Sequence, residues 1–502
     1  MTTLKTISIS NNQVVDLQDI PIHDYEIFSE VNLDLMRGNP ARHCVNYFGF
    51  REAGKIKLIC CIADDELHEI FVSSSQVDQS AMLTSFTAQN HNFEKFEREI
   101  HENFGIGYSD HPWLKPLRYA FNRADKNQKI ENYPFYKVDS EELHEVGVGP
   151  IHAGIIEPGH FRFTCNGEQI MHLEIQLGYQ HRGIEQLFLQ KHKILELTTL
   201  AESIAGDTVV GHTTAFANLW ENLCGYPDDE SLHFARTLAL ELERLANHTG
   251  DLSGVCADIA YQLGNSVYGR LRTPMVNFFQ EWGGNRLGKG LIRTGKINFP
   301  FTKELGERLT EIFKAYEPDF DEITQKLFNL PSALSRMEKT GVVTYDEVYE
   351  IGTVGMAARM SGLNRDIRSS HPFNNYKKID HKPVIKHHGD VYSRVQIRKT
   401  EVKQSIGYIK ELLEHIPEFK KPEDLPFVPQ KGKFVLSLVE GWRGEICHCA
   451  VTDESGDLII YKIKDPSFHN WMALAQSVRN NDISDFPICN KSFSLSYSGH
   501  DL

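Results

Sequence analysis

Cysteine and histidine are the residue types in this sequence that could hold a transition metal, and their spacing argues against it. The chain has nine cysteines, and no two of them form a C-x-x-C pair. Cys447 and Cys449 flank His448, but one short pair supplies fewer ligands than a zinc or iron–sulfur site needs. Alternate residues of a strand share one face, and buried thiols usually pack as apolar groups. We therefore predict no metal site in this pair, and free thiols in a reducing compartment.

The bulk composition narrows the classes of protein to which the chain can belong. Its 502 residues are 41% hydrophobic and 24% charged, which is ordinary for a globular protein of two or more domains. A formal net charge of -15 makes the surface repel nucleic acid on average, so we expect no nucleic-acid partner. The sequence shows no secretory signal pattern, and no apolar run reaches the roughly 20 residues of a membrane helix. We therefore expect the chain to be soluble by itself, so that any attachment to a membrane would come through partner subunits.

The elements that would position any site are predicted from hydrophobic periodicity, which favours an α+β fold. Residues 1–121 are predicted to form a small α/β domain, and residues 147–502 a mostly helical domain with peripheral strands. Residues 122–146 are polar and charged with few apolar anchors, which is typical of a linker.

Individual strands and helices follow from the same patterns. Short apolar or alternating runs predict strands at residues 41–48, 56–63, 68–72 and 161–164. Apolar residues at helical spacing, or a helix-start signal, predict helices in the regions 91–103, 185–223, 231–252, 303–329, 347–360, 399–416 and 465–478.

Two sets of motifs resemble those of known oxidoreductase subunits. Residues 96–106, FEREIHENFGI, with the later sequence DHP at 110–112, are similar to the signature of the 30-kilodalton subunit of complex I. From residue 149 onward, motifs similar to two other subunits occur in family order: the 49-kilodalton subunit of complex I and the large subunit of group 4, energy-converting, membrane-bound nickel–iron hydrogenases. These motifs include GPxH at 149–152, EPGHF at 157–161, HRGxE at 181–185, ELERLANH at 241–248, GDVYSR at 389–394 and EGWRGE at 440–445. The chain is identified as a divergent member in which the two types are fused.

The resemblance locates the positions at which a nickel–iron centre would be held. In the hydrogenases two cysteine pairs hold the metals, since soft thiolates suit nickel and iron. The first pair corresponds to Ala205 and Thr208, with His212 four residues later, and the second pair to Ser496 and Gly499. None of these four positions is a cysteine. We therefore expect no metal site and no hydrogenase activity in this chain.

The resemblance also suggests roles for polar residues near those positions. Glu185 matches the glutamate that conducts protons away from the family's active site, and Arg443 matches an arginine that overhangs the metals. Together with His212 they would line a polar pocket, which also includes His181, Arg182, His500 and Asp501. Such a pocket is either a working site or a satisfied hydrogen-bond network left after loss of the metals.

The relation to complex I offers a quinone as another ligand of the same pocket. There the quinone head group is framed by a histidine of the first hairpin and by a tyrosine near the first loop. Here Pro158 stands at the histidine position, and Ser203 is the nearest match to the tyrosine. The candidates that could replace them are His152, His160 and Tyr497.

The resemblance implies a peripheral-arm subunit of a hydrogenase-related or complex I-like oxidoreductase, at the cytoplasmic face of a bacterial or archaeal inner membrane. Its expected partners are an iron–sulfur small subunit and polytopic, antiporter-like membrane subunits. It would couple electron transfer from the partner's iron–sulfur cluster to ion translocation and hold no cofactor itself. The alternatives are a purely structural or coupling subunit with an inert pocket, and a quinone-reducing subunit.

Overall fold

The computed structural model describes residues 6–152, 156–421 and 425–502. The strands in these ranges are β1 (Ile7–Ile9), β2 (Val14–Asp16), β3 (Ile22–His23), β4 (Arg42–Glu52), β5 (Lys55–Asp64), β6 (Glu69–Val77), β7 (Met82–Thr84), β8 (Gly107–Ser109), β9 (His144–Val148), β10 (His160–Asn166), β11 (Gln169–Gln176), β12 (Ile292–Arg293), β13 (Lys296–Ile297), β14 (Lys433–Glu440), β15 (Glu445–Thr452) and β16 (Leu458–Lys464). The α-helices are α1 (Tyr25–Met36), α2 (Glu94–Phe104), α3 (Ile184–Gln190), α4 (Ile194–Ala201), α5 (Val209–Cys224), α6 (Glu230–Asp258), α7 (Gln262–Gly283), α8 (Lys303–Phe328), α9 (Pro331–Met337), α10 (Tyr345–Glu350), α11 (Met356–Arg359), α12 (Ile367–Ser370), α13 (Val391–Glu414), α14 (Ser467–Ser477), α15 (Phe486–Phe493) and α16 (Tyr497–Asp501).

A five-stranded sheet organises the N-terminal part. Strands β4, β5 and β6 are antiparallel neighbours, β1 pairs antiparallel with β6, and β3 pairs parallel with β6. Helices α1 and α2 cover one face of β4 and β5, and the other face packs into the main core. Because both faces are buried, these strands have continuous apolar runs. The predicted strands at 41–48, 56–63 and 68–72 and the helix at 91–103 are confirmed, with shifted ends.

A second sheet, in the order β16-β15-β14-β2, lies in the C-terminal part. Strand β2, from near the start of the chain, forms one edge, with Val15 opposite Phe434. Every residue of β15 is buried and so is most of β14, because α5 packs against both strands. The expectation that the strands of residues 147–502 are peripheral is therefore wrong for β14 and β15, which lie in the core.

The long helices surround this second sheet. Helix α6 begins after Asp229, whose side chain accepts a hydrogen bond from the Ser231 amide, and its predicted leucine stripe is buried. The helices predicted at 231–252, 303–329 and 465–478 are confirmed as α6, α8 and α14.

Other helix boundaries differ from the prediction. The region 185–223 is three helices, α3 to α5, and the region 347–360 contains two short ones, α10 and α11. Helix α13 begins eight residues earlier than 399, because Asp390 caps its first turn at the Ser393 amide. Helix α7 was not predicted; it contains Pro274, which sequence rules treat as a helix breaker.

The predicted linker, residues 122–146, is mostly irregular, but its last residues begin β9, which pairs with β10. The domain boundaries at residues 121 and 147 stay predictions. Across the described ranges, no helix combines the length and apolar character that crossing a bilayer demands.

Candidate functional site

Two segments that are far apart in sequence meet beside the second sheet. One is the first loop, residues 202–208, between α4 and α5, and the other is the tail, residues 494–502; we call their meeting place the loop junction. Arg182 connects the two, since its guanidinium donates to the carbonyl oxygens of Ile204 and Ser498, each at 2.9 Å. The structure thus brings together both segments that the sequence pattern predicted to meet.

The end of the tail is fixed by the connection between β11 and α3. The Asp501 carboxylate accepts from the amides of Gly178 and Gln180, both at 2.9 Å. His181 Nδ1 lies 2.9 Å from the Asp501 carbonyl oxygen, and the neighbouring His500 ring contacts the Asp501 carboxylate at 2.8 Å. Asp501 therefore anchors the tail, rather than leaving it open to solvent.

Arg443 lies over the loop junction, on the turn between β14 and β15. It donates to both carboxylate oxygens of Asp207 at 2.6 Å, and to the Thr208 hydroxyl at 3.0 Å. It also donates to the carbonyl oxygen of Ser494, and its guanidinium stacks 3.9 Å from the Trp442 ring. Every side of this cation is engaged, so Arg443 holds the two segments together. Sequence reasoning missed Asp207, although it lies inside the first-loop motif.

The four positions that correspond to metal ligands are buried and already engaged. Ala205 offers no donor atom, and the Thr208 hydroxyl contacts Arg443. Ser496 accepts from the Gly499 amide at 2.9 Å and so caps α16. A Cβ atom at Gly499 would lie 2.6 Å from Asp465 Cγ, so any side chain there would require Asp465 or the tail to shift. The residues present therefore do not fit a nickel–iron centre: they supply no thiolate, and Asp465 packs against one of the four positions.

His212, in the first turn of α5, is fully buried between two polar partners. Its Nε2 lies 3.0 Å from Asp465 Oδ2, and its Nδ1 lies 3.1 Å from His448 Nε2. His448 Nδ1 lies 2.8 Å from the Tyr461 hydroxyl. Burial, and then the neighbouring His212, lower the pKa of His448 well below its usual value, so this ring is neutral. In one assignment of the protons, Tyr461 donates to His448, His448 donates to His212, and His212 donates to Asp465. This single assignment satisfies the hydrogen bonds of all four groups. We call these four residues the histidine chain.

Cys447 and Cys449 face away from His448, as alternation along a strand predicts. Their thiols lie 3.7 and 3.5 Å from the Asn46 amide nitrogen, and burial raises the pKa of Cys449 well above its usual value. Both thiols are buried and pack as apolar groups. In the described part of the chain, no three or more His, Cys, Asp or Glu side chains are grouped so as to hold a metal ion.

Glu185 is not at the loop junction. It lies in the first turn of α3, accepts from the Ile463 amide at 2.8 Å and pairs with the Lys462 ammonium at 3.0 Å. Lys462 also pairs with Glu99, and Glu99 with Arg118. We call Glu185, Lys462, Glu99 and Arg118 the cavity ion chain, because all four line a cavity of about 420 Å³. Tyr461 lines the same cavity, which places one end of the histidine chain beside Glu185.

The three quinone-site candidates separate into a pair and a lone residue. The rings of His152 and Tyr497 lie 6.4 Å apart, and Gly159 packs so closely on Tyr497 that a Cβ there would lie 2.6 Å from the ring. Among the described residues, neither His152 nitrogen nor the Tyr497 hydroxyl has a hydrogen-bond partner. His160 is engaged elsewhere, with Nδ1 3.1 Å from the Gly149 carbonyl oxygen.

A further set of charged motif residues lies in the core of the helical part, between α6 and α13. Arg368 pairs with Asp366 at 2.7 Å and with Glu401 at 2.8 Å, and Arg359 pairs with Glu401 at 2.7 Å. Glu241 and Arg244 complete the group. All six are buried to 1% exposure or less, and we call them the core ion cluster.

Comparison with known proteins gives the class to which this fold and site belong. The family description "Respiratory-chain NADH dehydrogenase, 49 Kd subunit" matches residues 262–435. Hydrogenase-4 component G of Escherichia coli is 27% identical over 420 residues, covering 80% of this chain and 72% of that protein. The membrane-bound hydrogenase subunit alpha of Pyrococcus furiosus is 26% identical over 360 residues, 68% of this chain and 84% of that protein. The C/D-type NADH-quinone oxidoreductase subunit of Phocaeicola vulgatus is 25% identical over 402 residues, 73% of this chain and 76% of that protein.

By their names, two of these relatives are components of hydrogenases, one of them membrane-bound, and the third is a subunit of an NADH-quinone oxidoreductase. The chain is thus similar, over 68–80% of its length, to hydrogenase subunits and to a C/D-type NADH-quinone oxidoreductase subunit.

Proposed function

We propose that the chain is a peripheral-arm subunit of a membrane-bound, hydrogenase-related or complex I-like oxidoreductase, and that it works without a nickel–iron site of its own. The observation that carries this proposal is the filled loop junction. Arg443 and Asp207 occupy the space over the two segments, and Asp465 occupies the space beside Gly499. Polar contacts and packing thus replace the four thiolates that the hydrogenase reaction requires.

In this proposal electrons reach the complex through an iron–sulfur cluster of a partner small subunit. The described cysteines are not grouped as a cluster-binding set. Polytopic, antiporter-like subunits provide the ion pathway, and the chain is held at the cytoplasmic face of the membrane through them. The membrane-bound complexes named for the relatives support such partners.

The chain's own contribution to coupling is assigned to the cavity ion chain and the histidine chain. Glu185 faces a cavity, so its carboxylate is accessible to water or to a partner's proton donor. The histidine chain runs through hydrogen bonds from Asp465, beside the loop junction, to Tyr461 at the same cavity. A change of charge at Asp465 thereby alters the electrostatic environment of Tyr461, because the hydrogen bonds between them polarise one another.

Affinity purification from native membranes tests the assembly. The full chain carries a C-terminal or N-terminal tag in its own host, and mild detergent extracts are analysed by native gel and mass spectrometry. We expect an iron–sulfur protein and polytopic subunits in fixed ratio to the chain. Recovery of the chain alone from the soluble fraction, with the tag in either place, would contradict the proposal.

Quinone reduction is the second candidate function, favoured by one observation. His152 and Tyr497 are close together, and their polar atoms have no partner within the described residues. Those two groups could hold the oxygens of a quinone head group, whose chemistry is to accept two electrons and two protons. Decylubiquinone should then raise the unfolding temperature of the assembled complex, and less so after Tyr497→Phe. His160→Leu serves as the control, because His160 is engaged by the Gly149 carbonyl.

A further inference from the structure

A second cavity lies where the N-terminal and C-terminal parts meet, and His500 of the tail forms part of its wall. It has a volume of about 330 Å³, within the range of small-molecule sites. Its walls come from the start of α2, the loop at 112–117, strand β11 and helix α14. We call it the seam cavity.

The seam cavity has aromatic and aliphatic walls. Trp113, Tyr133 and Trp471 line it, together with Leu173 and Met472. Large flat side chains favour a flat, apolar ligand body, because aromatic rings stack or meet edge to face.

Polar atoms with no partner are present in the same walls. His469 Nε2, His172 Nε2 and Gln476 Oε1 make no hydrogen bond within the described part of the chain. His469 is only 5% exposed, and burying such a nitrogen unpaired is unfavourable. Burial lowers the pKa of both histidines, so each ring is neutral and has an acceptor nitrogen to offer.

The charges around the seam cavity are positive in excess. Its two carboxylates are already paired, Glu94 with Arg98 and Glu174 with the Lys115 ammonium at 2.7 Å. Lys95 shares the Glu94 carboxylate at 3.5 Å, and burial lowers the pKa of this lysine. Arg479 lines the cavity with no carboxylate partner among the described residues. A positive cavity in a chain of net charge -15 selects for an anion.

We propose that the seam cavity binds a small aromatic anion that also carries a hydrogen-bond donor. Its anionic group meets Lys95 and Arg479, its ring lies among the tryptophans, and its donor meets His469. This ligand site goes beyond the proposed coupling role. His500 of the tail lies in its wall, but none of the proposed ligand contacts belongs to the cavity ion chain or to the loop junction.

Isothermal titration of the full-length chain with 6-hydroxynaphthalene-2-sulfonate tests the proposal, since this probe has the ring, the anion and the donor. We expect one site per chain, and binding about tenfold weaker after Lys95→Met or Arg479→Met, because each removes one charged contact. The neutral 2-naphthol should bind about tenfold weaker than the sulfonate for the same reason. Arg308→Met, at an exposed arginine of α8, is the matched control and should bind as the unaltered chain does.

A blocking variant separates the site from surface binding. Ala475 lines the seam cavity, so Ala475→Phe should fill it and abolish binding, with folding checked by the unfolding temperature and circular dichroism. If Ala475→Phe fails to fold, the charge variants Lys95→Met and Arg479→Met still decide the proposal. Equal affinity for the sulfonate and 2-naphthol, or unchanged binding in both charge variants, would overturn the proposal.

Discussion

The core ion cluster and the cavity ion chain are both networks of charged side chains that include residues of the family motifs, yet they differ in access to water. In the core ion cluster every member is buried to 1% exposure or less, and each carboxylate meets more than one cation. In the cavity ion chain, the Glu185 side chain is 23% exposed and faces a cavity of about 420 Å³. A charge that cannot reach water cannot exchange a proton at working rates, whereas one at a cavity can. Similar motifs thus serve stability in one region and are suited to coupling in the other.

The largest loss of unfolding free energy is expected from a substitution in the core ion cluster. Glu401→Gln removes the carboxylate that Arg359 and Arg368 share, leaving buried positive charge uncompensated. Unfolding free energy, measured by denaturant titration, should fall by about 3–5 kcal/mol. The control Glu311→Gln, at an exposed glutamate, should change it by no more than about 0.5 kcal/mol. If Glu401→Gln leaves the unfolding free energy unchanged, the core ion cluster does not stabilise the fold.

A smaller loss of unfolding free energy is expected from a substitution in the tail. Gly499→Ala places a Cβ atom 2.6 Å from Asp465 Cγ, so the tail or Asp465 must shift. Unfolding free energy should fall by about 1–3 kcal/mol, as in other overpacked sites. Gly407→Ala in α13 is the matched control, since an added Cβ meets nothing within 4 Å and should stabilise the helix by about 0.5–1 kcal/mol. If both variants gain stability, position 499 has room and the argument from packing against a metal ligand fails.

The smallest effect on stability is expected in the cavity ion chain. Glu185→Gln keeps an acceptor for the Ile463 amide, and Lys462 keeps its pairing with Glu99. Stability should change by about 1 kcal/mol or less, while ion translocation by the assembled complex falls by at least about tenfold because a titratable group is lost. Glu196→Gln, at an exposed glutamate of α4, is the control. Normal translocation by a fully assembled Glu185→Gln complex would favour the purely structural alternative.

The fold was predictable from sequence where local pattern decides it. The strands at residues 42–64 have continuous apolar runs and helix α8 has an apolar repeat at helical spacing, and these elements agree with the prediction. The buried sheet of β14, β15 and β2 was not predicted, because its pairing joins Val15 to Phe434 across most of the chain. Local patterns do not encode such long-range pairing.

For the candidate site, the sequence indicated the first loop and the tail, but not the hydrogen-bond network that surrounds them. The first loop and the tail meet, and Arg443 contacts both. The family motifs suggest roles for these residues, which stay predictions. They did not predict the partners Asp207, His448 and Asp465, because each contact joins residues more than 200 positions apart. They also placed Glu185 at the junction, whereas its contacts are with β16.

The nickel content of the assembled complex tests the central claim most directly. Elemental analysis of the complex, purified from its own host through a tag on this chain, gives nickel atoms per copy of the chain. The filled loop junction, with Asp465 beside Gly499 and Arg443 over Asp207, predicts nickel far below one atom per copy. The account would be contradicted by one nickel atom per copy of the chain that stays bound through gel filtration. Loss of that nickel in the Gly499→Ala variant would place it at the tail.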